Sequence, residues 1–227
     1  MYLQVTTRCN MSREHCCMRA TAKGEDMSMK VLKAALEYCD GYPTMGGGEP
    51  TLHPKFWEMF GVILGHPNVE QLLIVTNGSK TEIALALCNL AKKGVLCASL
   101  SIDVYHDPID HRVEEAFKQG MNQVGAGRWR LPDPGYGKTQ NDLREIRDTT
   151  EDGTALPFAA GRAADWGREG CCCSDVIVKP NGDVYLCGCD DAPKIGDVFN
   201  GFERPETDEG DLIDCVRDVT SADQIYG

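Results

Sequence analysis

Cys9-Asn10-Met11-Ser12-Arg13-Glu14-His15-Cys16-Cys17-Met18, read with the later run Gly46-Gly47-Gly48-Glu49-Pro50, decides how this chain is organised. The first stretch places three thiols, Cys9, Cys16 and Cys17, directly after the alternating segment Tyr2 to Thr7, and that density suits a metal site better than an apolar core. The second is a backbone-exposing loop with one carboxylate, Glu49.

Outward from these stretches, the hydrophobic pattern predicts strand and helix in alternation. Tyr2 to Thr7 reads as a strand, and Ser28 caps a helix with the apolar face Val31, Leu32, Ala35, Leu36 and Cys39, stopped at Gly41. A strand over Tyr42 to Met45 leads into the glycine run. Pro54 opens a helix burying Phe56, Met59, Phe60, Ile63 and Leu64, closed by Gly65. Leu72 to Thr76 reads as a strand covered on both faces, followed by a helix over Glu82 to Lys93, a strand over Leu96 to Asp103 and a helix over Pro108 to Lys118. Repeated strand-helix units imply an α/β fold with a parallel sheet, in which ligand groups gather at the C-terminal ends of the strands. The cysteines, the glycine run, Asn77-Gly78, and Ser101 with Asp103 all fall at those ends.

From Gly120 to Thr154 the pattern fades into glycine- and proline-rich loop with a weak helix over Asn141 to Asp148, and Ala155 to Ala160 reads as a late strand. Cys171-Cys172-Cys173 then precedes Val176 to Leu186, two β-type runs joined at Asn181-Gly182 as a hairpin. Cys173 and Cys187 fall toward its open end, with Cys189 and Cys215 beyond.

Bulk properties narrow the function classes. The chain has 227 residues, 42% hydrophobic, enough for a sizeable core without disulfides. Its formal net charge of -12 argues against a nucleic-acid or anionic-membrane partner. No apolar run has the length of a membrane span and no secretory signal is evident, so a cytoplasmic location is expected. Twelve cysteines in such a chain point to metal or redox chemistry; Cys39, Cys88 and Cys97, outside the clusters, read as small core residues. His53, His106 and His111 read as ordinary loop or helix-start residues. Gly201 to Gly227 carries eight acidic residues against Arg204 and Arg217, a solvated terminus or a surface for a basic peptide.

Together the two opening stretches resemble the signature of radical S-adenosylmethionine (radical SAM) enzymes. In that family a CxxxCxxC loop holds a 4Fe-4S cluster through three thiolates and leaves one iron open to the cofactor. Here Cys9 and Cys16 match the first and third cluster positions, and His15 stands where the family usually carries an aromatic residue. The second position is Arg13, which stays protonated and offers iron no lone pair. Cys17 is an alternative ligand. The resemblance implies that Gly47, Gly48, Glu49 and Pro50 engage the amino end of S-adenosyl-L-methionine, and that Asn77, Ser101 and Asp103 lie near the cofactor or substrate. For Ser101 and Asp103, capping of the next helix is the competing reading.

The C-terminal cysteines resemble the auxiliary-cluster modules called SPASM and twitch. That resemblance implies one auxiliary iron-sulfur cluster ligated from Cys171, Cys173, Cys187, Cys189 and Cys215, with Cys172 as an alternative first ligand and zinc as an alternative metal. The expected architecture is a partial (β/α) TIM-like barrel over residues 1–160, with a small hairpin-containing, cysteine-rich domain over 161–227. The expected activity is reductive cleavage of S-adenosylmethionine to a 5'-deoxyadenosyl radical for hydrogen abstraction from a small-molecule or peptide substrate. The electron would come from a reductant such as flavodoxin or ferredoxin. Two other expectations stand beside it: a non-catalytic binding or scaffold protein of the same fold, inactivated by Arg13, and a zinc-binding structural protein.

Overall fold

The structure is a computed structural model, and it describes residues 1–11, 16, 18–101, 106–119, 122–123, 128–130, 176–188 and 192–203. Arg13, His15, Cys17, Asp103, Cys171, Cys172, Cys173, Cys189 and Cys215 lie outside these residues, as do the expected helix over Asn141 to Asp148 and strand over Ala155 to Ala160.

The first half alternates as its periodicity requires. Strand β1 (Tyr2–Thr6) is followed by α1 (Met29–Leu36), β2 (Thr44–Gly47), a 3-10 turn (Pro50–Leu52), α2 (Phe56–Leu64), β3 (Leu73–Thr76), α3 (Thr81–Lys92), β4 (Cys97–Ser101) and α4 (His111–Lys118). Strands β1, β2, β3 and β4 pair in that order, all parallel. Ser28 caps α1 as expected, its side chain accepting a hydrogen bond from the Val31 amide. The other helix starts differ slightly. Lys55 rather than Pro54 precedes α2, and α4 begins at His111, where the Asp110 carboxylate accepts from the Arg112 amide.

Two expectations about the sheet are corrected. Strand β2 does not end at Met45 but runs through Gly46 and Gly47, because the glycine run is itself paired with β1. The stretch after α4, read as loop, contains β5 (Asn122–Gln123) and β6 (Arg128–Arg130), which pair with each other and, through β6, antiparallel to β4. Strands of two and three residues are too short to leave a period-2 signature.

On the other side of β1 lies β7 (Ile177–Val178), parallel to it, followed antiparallel by β8 (Asp183–Tyr185), β9 (Lys194–Asp197) and β10 (Gly201–Phe202). The β7–β8 hairpin is the expected one, and Gly182 adopts φ +94° at its turn. The result is a mixed ten-stranded sheet in the order β10-β9-β8-β7-β1-β2-β3-β4-β6-β5. Its described ends are β10 and β5, which are not paired with each other.

One face of this sheet packs on the helices. Leu3 and Val5 of β1, Met45 of β2, Ile74 of β3, and Ala98 and Leu100 of β4 form a single apolar cluster with Val31, Leu32, Met59, Ile63, Leu87, Val113 and Phe117. Val176, Val178, Val184 and Val198 belong to the same cluster, so the C-terminal hairpin is continuous with the core of the first half. Phe60 and Leu64 of α2 are half-buried rather than buried. Cys39, Cys88 and Cys97 are buried, and burial pushes the thiols of Cys39 and Cys88 above their ordinary range. Strand alternation turns Gln4, Leu73, Cys97 and Ser99 to the opposite face.

Candidate functional site

The cysteine loop is anchored at both ends on β1. The Thr7 amide donates to Glu25 O (2.8 Å), the Cys9 amide to Thr21 O (2.8 Å), the Thr21 amide to Thr7 O (3.2 Å) and the Met27 amide to Val5 O (2.8 Å). A charged clamp closes the base of the loop. Arg8 Nε and Nη2 donate to Asp26 Oδ1 (3.0 Å) and Oδ2 (2.7 Å), while Thr6 Oγ1 donates to Asp26 Oδ1 (2.7 Å). Arg8 Nη2 also donates to Leu52 O (2.9 Å), tying the loop to the turn that follows the glycine run. Within the loop Cys9 is buried against Met11 and Ala20, and the partly exposed Cys16 packs on that cluster. The Cys9 sulfur accepts from the Met11 amide (3.4 Å) and, at 3.8 Å, from Asn77 Nδ2.

The glycine run lies against this loop because it has no side chains. The Gly48 amide donates to Thr6 O (2.8 Å), the Glu49 amide to Arg8 O (2.7 Å), and the Gly47 amide to Tyr2 Oη (2.7 Å). A Cβ on Gly47 would sit 2.2 Å from Thr6 O, at φ +142°, and one on Gly48 would sit 2.2 Å from Arg8 O. Backbone therefore meets backbone, and only glycine permits the approach.

Glu49 is fully buried and already well supplied with donors. Its Oε1 accepts from the Thr51 amide (3.2 Å), Thr51 Oγ1 (2.6 Å) and Thr76 Oγ1 (2.8 Å), and its Oε2 from the Asn77 amide (2.7 Å). Burial raises its pKa above the ordinary carboxylate value, against the opposing pull of the Thr51, Asn77 and Thr76 hydrogen bonds. Pro50 begins the adjoining 3-10 turn. Asn77 joins the three strand ends: its amide binds Glu49 Oε2, and its Nδ2 reaches Asn10 Oδ1 (3.2 Å) and the Cys9 sulfur. Ser79 Oγ also donates to Asn10 Oδ1 (3.1 Å). Ser101 is partly buried at the end of β4.

The structure therefore brings Cys9, Cys16, Gly47, Gly48, Glu49, Pro50 and Asn77 to one edge of the sheet. Thr51, Thr76, Asn10 and the Arg8–Asp26 clamp are the supporting residues that the sequence reading passed over. A hydroxyl before Asn77 at a strand end was the available signal for Thr76. His53 is structural: the Lys55 amide donates to its Nδ1 (3.0 Å), so Nε2 carries the proton and donates to Met27 O (3.0 Å). Cys187 is buried just beyond β8, and the neighbouring Gly188 faces the cysteine loop, since a Cβ there would lie 3.2 Å from Met18 Cε. Among the described residues no three His, Cys, Asp or Glu side chains form a group able to hold a metal ion. Also among them, no helix is long and apolar enough to cross a membrane.

No family model matches the chain. A curated relative is the tungsten-containing aldehyde ferredoxin oxidoreductase cofactor-modifying protein of Pyrococcus furiosus, 32% identical over 117 residues, 46% of this chain and 30% of that protein. The chain thus spans about a third of the length of the curated relative it matches. Two solved structures overlap it. One is native anSMEcpe with bound AdoMet and Cp18Cys peptide, at 16% identity, TM-score 0.47, 88% of this chain and 77% of that one. The other is native anSMEcpe with bound AdoMet and Kp18Cys peptide, at 15% identity, TM-score 0.49, 97% of this chain and 81% of that one. Neither overlap is close enough to carry an argument.

Proposed function

We propose that the chain is a radical SAM-type protein whose first cluster site is interrupted by Arg13. The observation that carries this reading is the joining of Cys9 to Glu49: the Glu49 amide bonds to Arg8 O beside Cys9, and Asn77 contacts both the Cys9 sulfur and the Glu49 carboxylate. A cysteine loop after the first strand and a glycine-carboxylate loop after the second, locked together by a third strand end, is the arrangement the resemblance requires.

The donor set itself is one thiolate short. Of the three motif positions, Cys9 and Cys16 carry thiols and residue 13 is an arginine, so these residues do not fit a cluster held by three cysteines. What its own residues do is hold the loop closed through Arg8 and Asp26, hold Glu49 as an ionisable group beneath the strand ends, and exclude water from Cys9.

Within this reading the fold is a partial (β/α) barrel over 1–160, with an auxiliary module over 161–227 drawing on Cys171, Cys173, Cys187, Cys189 and Cys215. Gly47, Gly48 and Glu49 face the amino end of S-adenosylmethionine, and the substrate is a peptide or small molecule in a cytoplasmic setting with a flavodoxin- or ferredoxin-like reductant. The contact between Gly188 and Met18 supports a module that abuts the first site. A second reading, a binding or scaffold protein of the same fold, is favoured by Arg13 and by a Glu49 carboxylate already satisfied within the chain.

Anaerobic reconstitution with iron and sulfide separates the two. The radical SAM reading expects Arg13→Cys to gain about four irons per chain over the parent and to cleave S-adenosylmethionine reductively. Equal iron in both proteins, with no cleavage by either, overturns it and leaves the scaffold.

A further inference from the structure

The loop that leaves β1 and returns to it gathers two free thiols in one place. Cys9, 3% exposed, forms a small apolar cluster with Met11 and Ala20, separate from the main core, and the partly exposed Cys16 packs on that cluster. The backbone folds back to achieve this. The Cys9 amide bonds to Thr21 O, holding the start of the loop against its return, and Arg19, at φ +47°, turns the chain with its amide on Cys16 O (3.4 Å).

Arg13 decides what such a pair is for. Two thiolates do not complete a site that needs three, but reversible oxidation to a disulfide needs only two sulfurs. The two thiols also differ in access. Cys16 is partly open to solvent, whereas Cys9 is shielded and its sulfur accepts from the Met11 amide and from Asn77 Nδ2. An accessible thiol poised next to a second, resolving one is the arrangement of a redox-sensing pair.

We infer that Cys9 and Cys16 are a thiol–disulfide switch whose oxidant is a small-molecule disulfide of the glutathione class. Cys16 Sγ, as thiolate, attacks one sulfur of the oxidant, forming a mixed disulfide and releasing a small thiolate that takes up the proton Cys16 gave. Cys9 Sγ then attacks the Cys16 sulfur, forming the Cys9–Cys16 bond and releasing the second small thiol with the proton from Cys9. Two protein thiols are oxidised and one small disulfide is reduced to two thiols. The new bond staples the outgoing limb of the loop to its returning limb. It also alters the sulfur that Asn77 Nδ2 reaches, so the change is felt at the residue whose backbone amide holds Glu49. The pair needs neither cluster nor S-adenosylmethionine, so it stands apart from the radical SAM reading.

The test uses the full parent chain, reduced and then exposed anaerobically to oxidised glutathione, with remaining thiols blocked by iodoacetamide before tryptic digestion and mass spectrometry. Cleavage after Arg8, Arg13 and Arg19 puts Cys9 in one peptide and Cys16 with Cys17 in the next. The expected result is loss of the two separate alkylated peptides and appearance of their disulfide-linked pair, reversed by dithiothreitol. The link is expected to persist in Cys17→Ser and to vanish in Cys16→Ser. In the 15N-labelled parent, the Asn77 side-chain amide signals are expected to shift on oxidation and to return on reduction. The chain unfolded in urea is oxidised alongside, and there the link is expected to scatter over the other cysteines. Cys9 found alkylated while Cys16 carries glutathione overturns the proposal. So do a link that survives Cys16→Ser but not Cys17→Ser, and pairing as selective in urea as in the folded chain. Iron takes no part, so failure here is distinct from failure of the reconstitution.

Discussion

Replacing Gly47 by alanine is expected to destabilise the protein severely, and the reason lies in the chain rather than in any ligand. The new Cβ would lie 2.2 Å from Thr6 O, a backbone atom that cannot rotate away, and it would do so at φ +142°. Strain at such a glycine-favouring angle costs about 1–3 kcal/mol, and forcing the two strands apart adds about 1–3 kcal/mol more. A total of about 4 kcal/mol is a large share of the roughly 5–15 kcal/mol that domains possess. For a chain of this size it lowers Tm by roughly 8–16 °C. Gly61 is the control. It lies mid-way along α2 with nothing within 4 Å of its would-be Cβ, so Gly61→Ala is expected to stabilise by about 0.5–1 kcal/mol. Thermal unfolding followed by far-UV circular dichroism reads both. If Gly47→Ala melts within about 2 °C of the parent, under 1 kcal/mol on this scale, the close approach of β1 and β2 is not what demands glycine there.

Glu49 makes stability depend on pH in a stated direction. Because its folded pKa is raised above the ordinary value of 4.5, its contribution is fully present below that value and is lost as pH rises through the folded pKa. Urea unfolding between pH 4 and pH 8 is expected to show this decline in the parent and a shallower one in Glu49→Gln; equal slopes in the two would assign the decline to other groups. Asp26→Ala removes the Arg8 pair and the Thr6 hydrogen bond together. The pair is about one-third exposed, so a loss of only about 1–2 kcal/mol is expected, with faster amide exchange at Thr7 and Cys9 as the local signature. Unchanged exchange at those two amides would show that the clamp does not hold the loop base.

Local signals were legible and non-local ones were not. Ser28 announces α1 because a hydroxyl three residues before Val31 can satisfy a free amide without help from the rest of the fold. The alternation in Tyr2 to Thr7 and the turn at Asn181-Gly182 are equally self-contained. Glu49, by contrast, is held by Thr76 and Asn77 across 27 and 28 residues, and Arg8 finds Asp26 across 18. The strand end at Asn77-Gly78 marks Thr76 and Asn77 as candidates, but nothing in either neighbourhood marks that they meet Glu49, or that Arg8 meets Asp26. The glycine run was legible as a place of close approach, but what approaches it, the backbone of Thr6 and Arg8, emerges only once β1 and β2 are paired. Gln4 sits inside an alternating strand where a polar residue ordinarily faces water, and its burial depends on the sheet being covered on both sides.

The pairing of β1 with β7 also sets a schedule for biosynthesis. Ile177, the partner of Tyr2, is synthesised 175 positions after it (177 − 2). At about 5–20 residues per second, the outer edge of β1 waits roughly 9–35 s for that partner. During this interval Leu3, Val5 and an unpaired row of backbone groups are available to other nascent chains. Because the strand that carries the cysteine loop is finished by a segment so distant along the chain, folding yield is expected to depend on translation speed and on holding chaperones.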